Sequence, residues 1–295
     1  MASDMHSDRV SPASRAVRDP SPAARREFSN MPRAILYDGV MCVGCRQCES
    51  ACSAHWGLPY DDAIAADERL SERKLTTITT HDGTFARRLC MHCVEPTCAS
   101  VCPVGALKKT EIGPVVYDET RCIGCRYCML ACPFQVPVYE WSRALPRVRK
   151  CDLCADRLAQ GLPTACTEAC PTGATVTGDR DALIAEARRR IAESPSLYVN
   201  HLFGETEAGG TSVLFLSAVP FERLGVKSGL PREPLPMLTW RVLSLVPDIA
   251  LVGGALLGGV WWITHRREEV AAAERAAKEA RSERAVAAPA GGKRP

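Results

Sequence analysis

The stretch CIGCRYCMLACP, residues 122–133, sets four thiols at intervals of two, two and three residues and ends on a proline. The same intervals join Cys42, Cys45, Cys48 and Cys52, there without the proline. Two looser versions complete the set: Cys90, Cys93, Cys98 and Cys102 before Pro103, and Cys151, Cys154, Cys166 and Cys170 before Pro171. Together the four groups use all sixteen cysteines of a 295-residue chain. A bare count of sixteen is compatible with a disulfide scaffold, a multi-zinc protein or an iron–sulfur protein. The spacing separates them.

Zinc is served by CxxC pairs, often with histidine among the ligands, and has no use for a CxxCxxCxxxCP run. Disulfides tolerate irregular spacing and rarely crowd three cysteines into CxxCxxC, where neighbours compete. Three thiolates two residues apart instead let one loop wrap a face of a cubane and aim backbone N–H groups at its sulfurs. The fourth thiolate, three residues on, points away toward a second cluster. Gly44 and Gly124 lie inside the two regular loops, where a backbone without Cβ can turn tightly. Four complete sets, with no Asp, Trp or His in place of a cysteine, predict four [4Fe–4S] clusters. His92, between Cys90 and Cys93, is read as structural, and His265 as a residue of a helix end.

Outward from the cysteines, the chain divides by composition. Residues 1–33, rich in Ser, Pro, Ala and Arg, read as a disordered or extended arm. Its Arg25-Arg26 pair lacks the apolar stretch of roughly 7–15 residues that an export signal needs. Residues 34–178 hold every cysteine between Pro- and Gly-rich turns, with short apolar runs at 34–37 and 114–117 that predict strands; this is an α+β domain. Residues 179–240 contain an amphipathic helix at 179–193, with Leu183, Ile184, Ala187 and Ile191 on one face, then a buried strand at 211–219. A Pro-rich stretch at 220–236 reads as a crossing over the surface.

Residues 241–265 predict one transmembrane helix. The run Val242–Thr264 covers roughly 34 Å, against a hydrocarbon core of about 30 Å. Trp240, Trp261 and Trp262 stand at its two ends, where interfacial aromatics belong. Asp248 is expected at headgroup level or facing a partner, and Gly254 and Gly258 would let another helix approach closely. Six Lys or Arg residues follow the span within twenty positions and three precede it. That asymmetry puts the charged tail, residues 266–295, in the cytoplasm and the cysteine domain outside, exported together with a partner.

The near balance of 37 basic and 34 acidic residues gives no field for nucleic acid. With aromatics at only 6% of the chain, the clusters are expected to form much of the interior. No P-loop or nucleotide-binding glycine fingerprint is present, and every cysteine is already assigned. The chain therefore reads as an electron carrier without its own substrate site, not an enzyme.

Residues 34–265 resemble the four-cluster ferredoxin-like subunits of membrane-bound respiratory oxidoreductases. CMHCVEPTCASVCPVGALKK (90–109), CIGCRYCMLACPFQVPVYEW (122–141) and HLFGETEAGGTSVLFLSAVPFE (201–222) are most similar to the iron–sulfur subunit of periplasmic-facing [NiFe] hydrogenases. The formate dehydrogenase β subunit is similar in layout, including the single C-terminal span. The resemblance implies two nested bacterial-ferredoxin-like modules, groups two and three forming one inside the module made by groups one and four. It implies one cluster on Cys42, Cys45, Cys48 and Cys170 and a second on Cys52, Cys151, Cys154 and Cys166. A third would sit on Cys90, Cys93, Cys98 and Cys132, and a fourth on Cys102, Cys122, Cys125 and Cys128. It also implies a relay between a catalytic partner and an integral membrane subunit that reacts with quinone. The catalytic partner would be a hydrogenase large and small subunit pair or a formate dehydrogenase catalytic subunit. The alternative of a different class is a self-contained iron–sulfur reductase.

Overall fold

The computed structural model describes residues 31–141, 143 and 146–287, so the Arg25-Arg26 pair and the arm around it lie outside the described residues. Two compact units emerge, one up to Pro236 and one from Met237. The first unit opens with β1 (Arg33–Asp38), α1 (Gln47–Trp56), β2 (Thr77–His81), β3 (Thr84–Arg88) and α2 (Thr97–Ser100). It continues with β4 (Leu107–Lys109), β5 (Val115–Tyr117), α3 (Tyr127–Ala131), β6 (Val138–Tyr139) and β7 (Val148–Arg149). It ends with α4 (Ala155–Ala159), α5 (Ala165–Glu168), β8 (Thr175–Asp179), α6 (Arg180–Glu193) and β9 (Val213–Leu216).

The apolar run at 34–37 becomes the middle strand of the main sheet, ordered β8-β1-β9. β8 pairs antiparallel to β1 and β9 pairs parallel to it, with Ile35 facing both Thr177 and Val213. A strand covered on both faces reads as an unbroken apolar run rather than an alternation. Its side chains enter two cores by turns. Ala34 and Leu36 join Leu183, Ala187, Leu202, Leu214 and Leu216, whereas Ile35 and Tyr37 join Cys48, Cys52, Phe203 and Phe215. Helix α6 roofs the first of these cores, as its apolar face predicts. Its N-terminus is closed by Asp179, whose Oδ1 accepts from the N–H groups of Asp181 (3.1 Å) and Ala182 (3.0 Å).

The remaining strands form three short hairpins, β2–β3, β4–β5 and β6–β7. Among the described residues the helices near the cysteines are short and pack in two pairs, α1 on α5 and α2 on α3. Group one thus meets group four, and group two meets group three. Between 220 and 236, where the sequence suggests a surface crossing, the turn Phe221–Leu224 buries both Phe221 and Leu224 in the main core. A 3-10 turn puts positions three apart on one side, so this apolar pair can plug the interior.

The second unit is helical. Helix α7 (Leu235–Leu243) leads into it and α8 (Val246–Ala287) makes up most of it. The two meet at a turn over Ser244 and Leu245, just before Pro247, a residue that lacks an N–H and disfavours helix in the residue ahead of it. The most apolar window of this segment has a mean hydropathy of 1.8 and none of it is buried, so it is a candidate span by length and composition. Beyond the apolar part, α8 runs on without a break through the charged residues to Ala287.

Candidate iron–sulfur centres

All sixteen cysteines are free thiols. Two small voids are each bordered by four of them. Cys42, Cys45, Cys48 and Cys170 line one, together with Tyr37, Ile78, Arg87 and Thr172. Cys102, Cys122, Cys125 and Cys128 line the other, with Ala106, Leu107, Tyr117 and Val148. The remaining eight lie close to one another, with neighbours shared across the expected sets. Cys166 and Cys154 act on Cys52, and Cys52, Cys90 and Cys166 act on Cys151. Cys90, Cys132 and Cys98 act on Cys93. Among the described residues no three ligating side chains converge on one point, as they would around a single ion. Thiols standing around the rim of a void suit a polynuclear cluster better than a lone zinc.

The loops reach this arrangement by the same backbone device. In the first, Gly44 (φ 69°) and Arg46 (φ 57°) are left-handed, and in the third group Gly124 (φ 70°) and Arg126 (φ 63°) repeat the step. The glycines also have no room for a side chain. A Cβ on Gly44 would lie 2.3 Å from Phe85 Cε1, and one on Gly124 would lie 2.7 Å from Tyr139 Oη. Each regular helix, α1 and α3, then starts at the residue after the left-handed arginine and carries the next cysteine inward.

Backbone N–H groups are turned toward the sulfurs. Ala106 N–H donates to Cys102 Sγ (3.2 Å), Leu153 N–H to Cys151 Sγ (3.3 Å) and Gly124 N–H to Cys122 Sγ (3.4 Å). Burial pushes the Cys48 and Cys128 thiols up to about 11, and Cys98 and Cys154 up to about 12. Cys102 and Cys170 move the other way. Burial raises each of them too, but for Cys102 it is outweighed by the N–H groups of Leu107, Ala106, Val104 and Gly105. For Cys170 those of Thr175, Thr172 and Ala174, with the Thr172 hydroxyl, have the same effect. Both cysteines open the same five-residue phrase, CPVGA at 102–106 and CPTGA at 170–174, whose glycines are left-handed. The phrase is visible in the sequence, although the spacing argument uses only its proline.

His92 is 1% exposed and its Nδ1 accepts from Val115 N–H (2.9 Å), which ties the second cysteine loop to β5. His265 stacks on Trp261, with ring centroids 5.1 Å apart. Sequence reasoning misses three cations near the thiols, two buried and one half-buried. Lys109 Nζ donates to the His92 carbonyl (3.0 Å), Lys150 Nζ to the Cys151 carbonyl (2.9 Å), and Arg87 is 1% exposed. It also misses a wider hollow of about 350 Å³ lined by Leu89, Met91, Phe134, Phe203 and Phe215 together with Arg87, Arg88 and Lys227, which no cysteine lines.

The donor set, free thiols ringed by N–H groups, fits [4Fe–4S] clusters. Comparison with known proteins agrees. Models of a 4Fe-4S dicluster domain match residues 41–106 and residues 81–180. The chain is 37% identical over 234 residues to the hydrogenase-2 operon protein HybA of Escherichia coli O157:H7, an alignment covering 64% of this chain and 71% of that protein. It is 32% identical over 271 residues to the formate dehydrogenase iron-sulfur subunit of Haemophilus influenzae, covering 83% and 84%. It is 38% identical over 154 residues to the B subunit of the anaerobic dimethyl sulfoxide reductase of Escherichia coli, covering 50% and 74%.

Proposed function

The chain belongs to the family of iron–sulfur electron-transfer subunits built on 4Fe-4S dicluster domains, and from that premise we propose that it carries four [4Fe–4S] clusters between a hydrogenase catalytic pair and a quinone-reactive membrane subunit. The observation that carries the cluster count is the pair of voids, each bordered by three cysteines of one group and one from another. Their memberships support the crossed sets: Cys42, Cys45 and Cys48 with Cys170, and Cys122, Cys125 and Cys128 with Cys102. By the same logic Cys52 joins Cys151, Cys154 and Cys166, and Cys132 joins Cys90, Cys93 and Cys98. The packing of α1 on α5 and of α2 on α3 supports one module nested in the other.

A bound [4Fe–4S] cluster supplies one-electron transfer at a potential set by its surroundings. The chain's own residues do the rest. Their thiolates fix the sites, their N–H groups stabilise negative charge on sulfur, and the buried walls of Tyr37, Ile78, Leu107 and Val148 exclude water. The apolar helix is proposed as a single span, with the cysteine unit outside the cytoplasm and the tail inside it. The alignment with the formate dehydrogenase subunit, which reaches 84% of that protein, supports a second reading in which formate is the electron source.

Iron analysis of anoxically purified chain is expected to find about sixteen Fe, from four irons per four-cysteine set. About twelve, or a [3Fe–4S] signal in electron paramagnetic resonance (EPR), overturns the four-cluster assignment. With native membranes, H2 is expected to reduce the clusters. Reduction by formate alone decides for the second reading.

A further inference from the structure

Arg87 sits where strand alternation turns it inward while Arg88 reaches the surface carbonyl of Gly225 (2.8 Å). Its guanidinium is anchored by two neutral hydroxyls, Nε donating to Thr76 Oγ1 (3.1 Å) and Nη1 to Thr175 Oγ1 (2.8 Å). Its Nη2 is buried with no hydrogen-bond partner. The buried carboxylate of Glu49 is engaged elsewhere, by Lys74 (2.7 Å) and Arg46 (3.3 Å). Among the described residues no carboxylate pairs with this buried cation, so hydroxyls leave its charge unneutralised, and an unpaired buried donor calls for an acceptor.

The acceptors at hand are sulfurs. Arg87 lines the void of Cys42, Cys45, Cys48 and Cys170. Cys166, Cys48 and Cys151 are the cysteines close enough for their charge to act on it, and Cys166 is within side-chain hydrogen-bonding reach. Cys48 belongs to the first proposed set, Cys166 and Cys151 to the second. One charge therefore stands between two sites.

We propose that Arg87 is a potential-setting cation shared by the first and second cluster sites, raising the reduction potential of both. The inference rests on the four-cluster reading above. Reduction adds one negative charge to a cluster, and a fixed, desolvated cation beside it stabilises the reduced state more than the oxidised one. Arg87 acts here as a positioning residue for charge; it transfers nothing itself.

The test is an EPR-monitored redox titration of the full chain, wild type against Arg87→Gln, Arg87→Met and Arg87→Lys. Methionine fills a similar volume without charge, a replacement that buried ionic sites often tolerate. In the two neutral variants the reduction equilibrium of the first and second sites is expected to fall about tenfold, a shift of ~59 mV for one electron. The third and fourth sites should hold their wild-type potentials, and Arg87→Lys should restore most of the shift. Unchanged potentials in a neutral variant with full iron content overturn the proposal. So does a loss of iron from both neutral variants, because Arg87 would then be an anchor for assembly. A wild-type chain with fewer than four clusters faults the cluster reading instead, and Arg87 is then judged on whichever of its two neighbouring sites is filled.

Discussion

At the scale of single residues, Gly124 shows how little freedom the cysteine loops have. Its φ of 70° suits glycine, and the Tyr139 hydroxyl occupies the space a side chain would need. Gly124→Ala is expected to lower stability by more than about 1 kcal/mol, because an alanine at positive φ loses more than the entropy it gains. The same variant should lose the iron of one cysteine set while the other three keep theirs, as read by iron analysis. Adding Tyr139→Phe removes the clash but not the backbone strain, so only partial recovery is expected. Full recovery would show that the left-handed conformation does not matter. Residues such as these glycines are legible in the sequence because their role is set by neighbours two positions away. Arg87 is not. Arg87 and Arg88 look alike in the sequence, and which of them points inward is decided by packing across the β2–β3 hairpin.

At the scale of elements, legibility follows how local the cause is. β1, β5, β9 and α6 are readable because apolar runs or a helical stripe announce them. The β2–β3 hairpin escapes the apolar pattern, its strands being rich in Thr and Arg. Its only signal is Asp82-Gly83, which takes positive φ at both positions (47° and 79°), the requirement of a two-residue hairpin turn. The pairing of β1 with β8 and β9 was not legible, since nothing in a strand names its partner. The apolar part of α8 carries its own test. An arginine near the centre of a membrane helix costs about 2.5–3.5 kcal/mol on the insertion scale. Leu257→Arg should therefore move a large share of the chain from carbonate-resistant membranes to the soluble fraction. If retention is unchanged, α8 is held by something other than lipid.

At the scale of the whole molecule, the proposed crossed ligation ties regions far apart in sequence into one body. Cys170→Ser is expected to damage the cluster of Cys42, Cys45 and Cys48 while leaving the Cys151 site largely intact. EPR of the reduced variant checks this, and equal loss at both sites would defeat the crossed assignment. The main sheet adds a matter of timing. Its central strand, β1, is made first, yet both of its partners come from the far end of the same unit. At roughly 5–20 residues per second, the ribosome delivers β9 only after a wait on the order of tens of seconds. For most of that interval the first four thiols are made while their proposed partners, Cys151, Cys154, Cys166 and Cys170, are not. On the crossed assignment the third and fourth sites have all their ligands once residue 132 is made, whereas the first and second wait for Cys166 and Cys170, so the outer module is expected to load iron last.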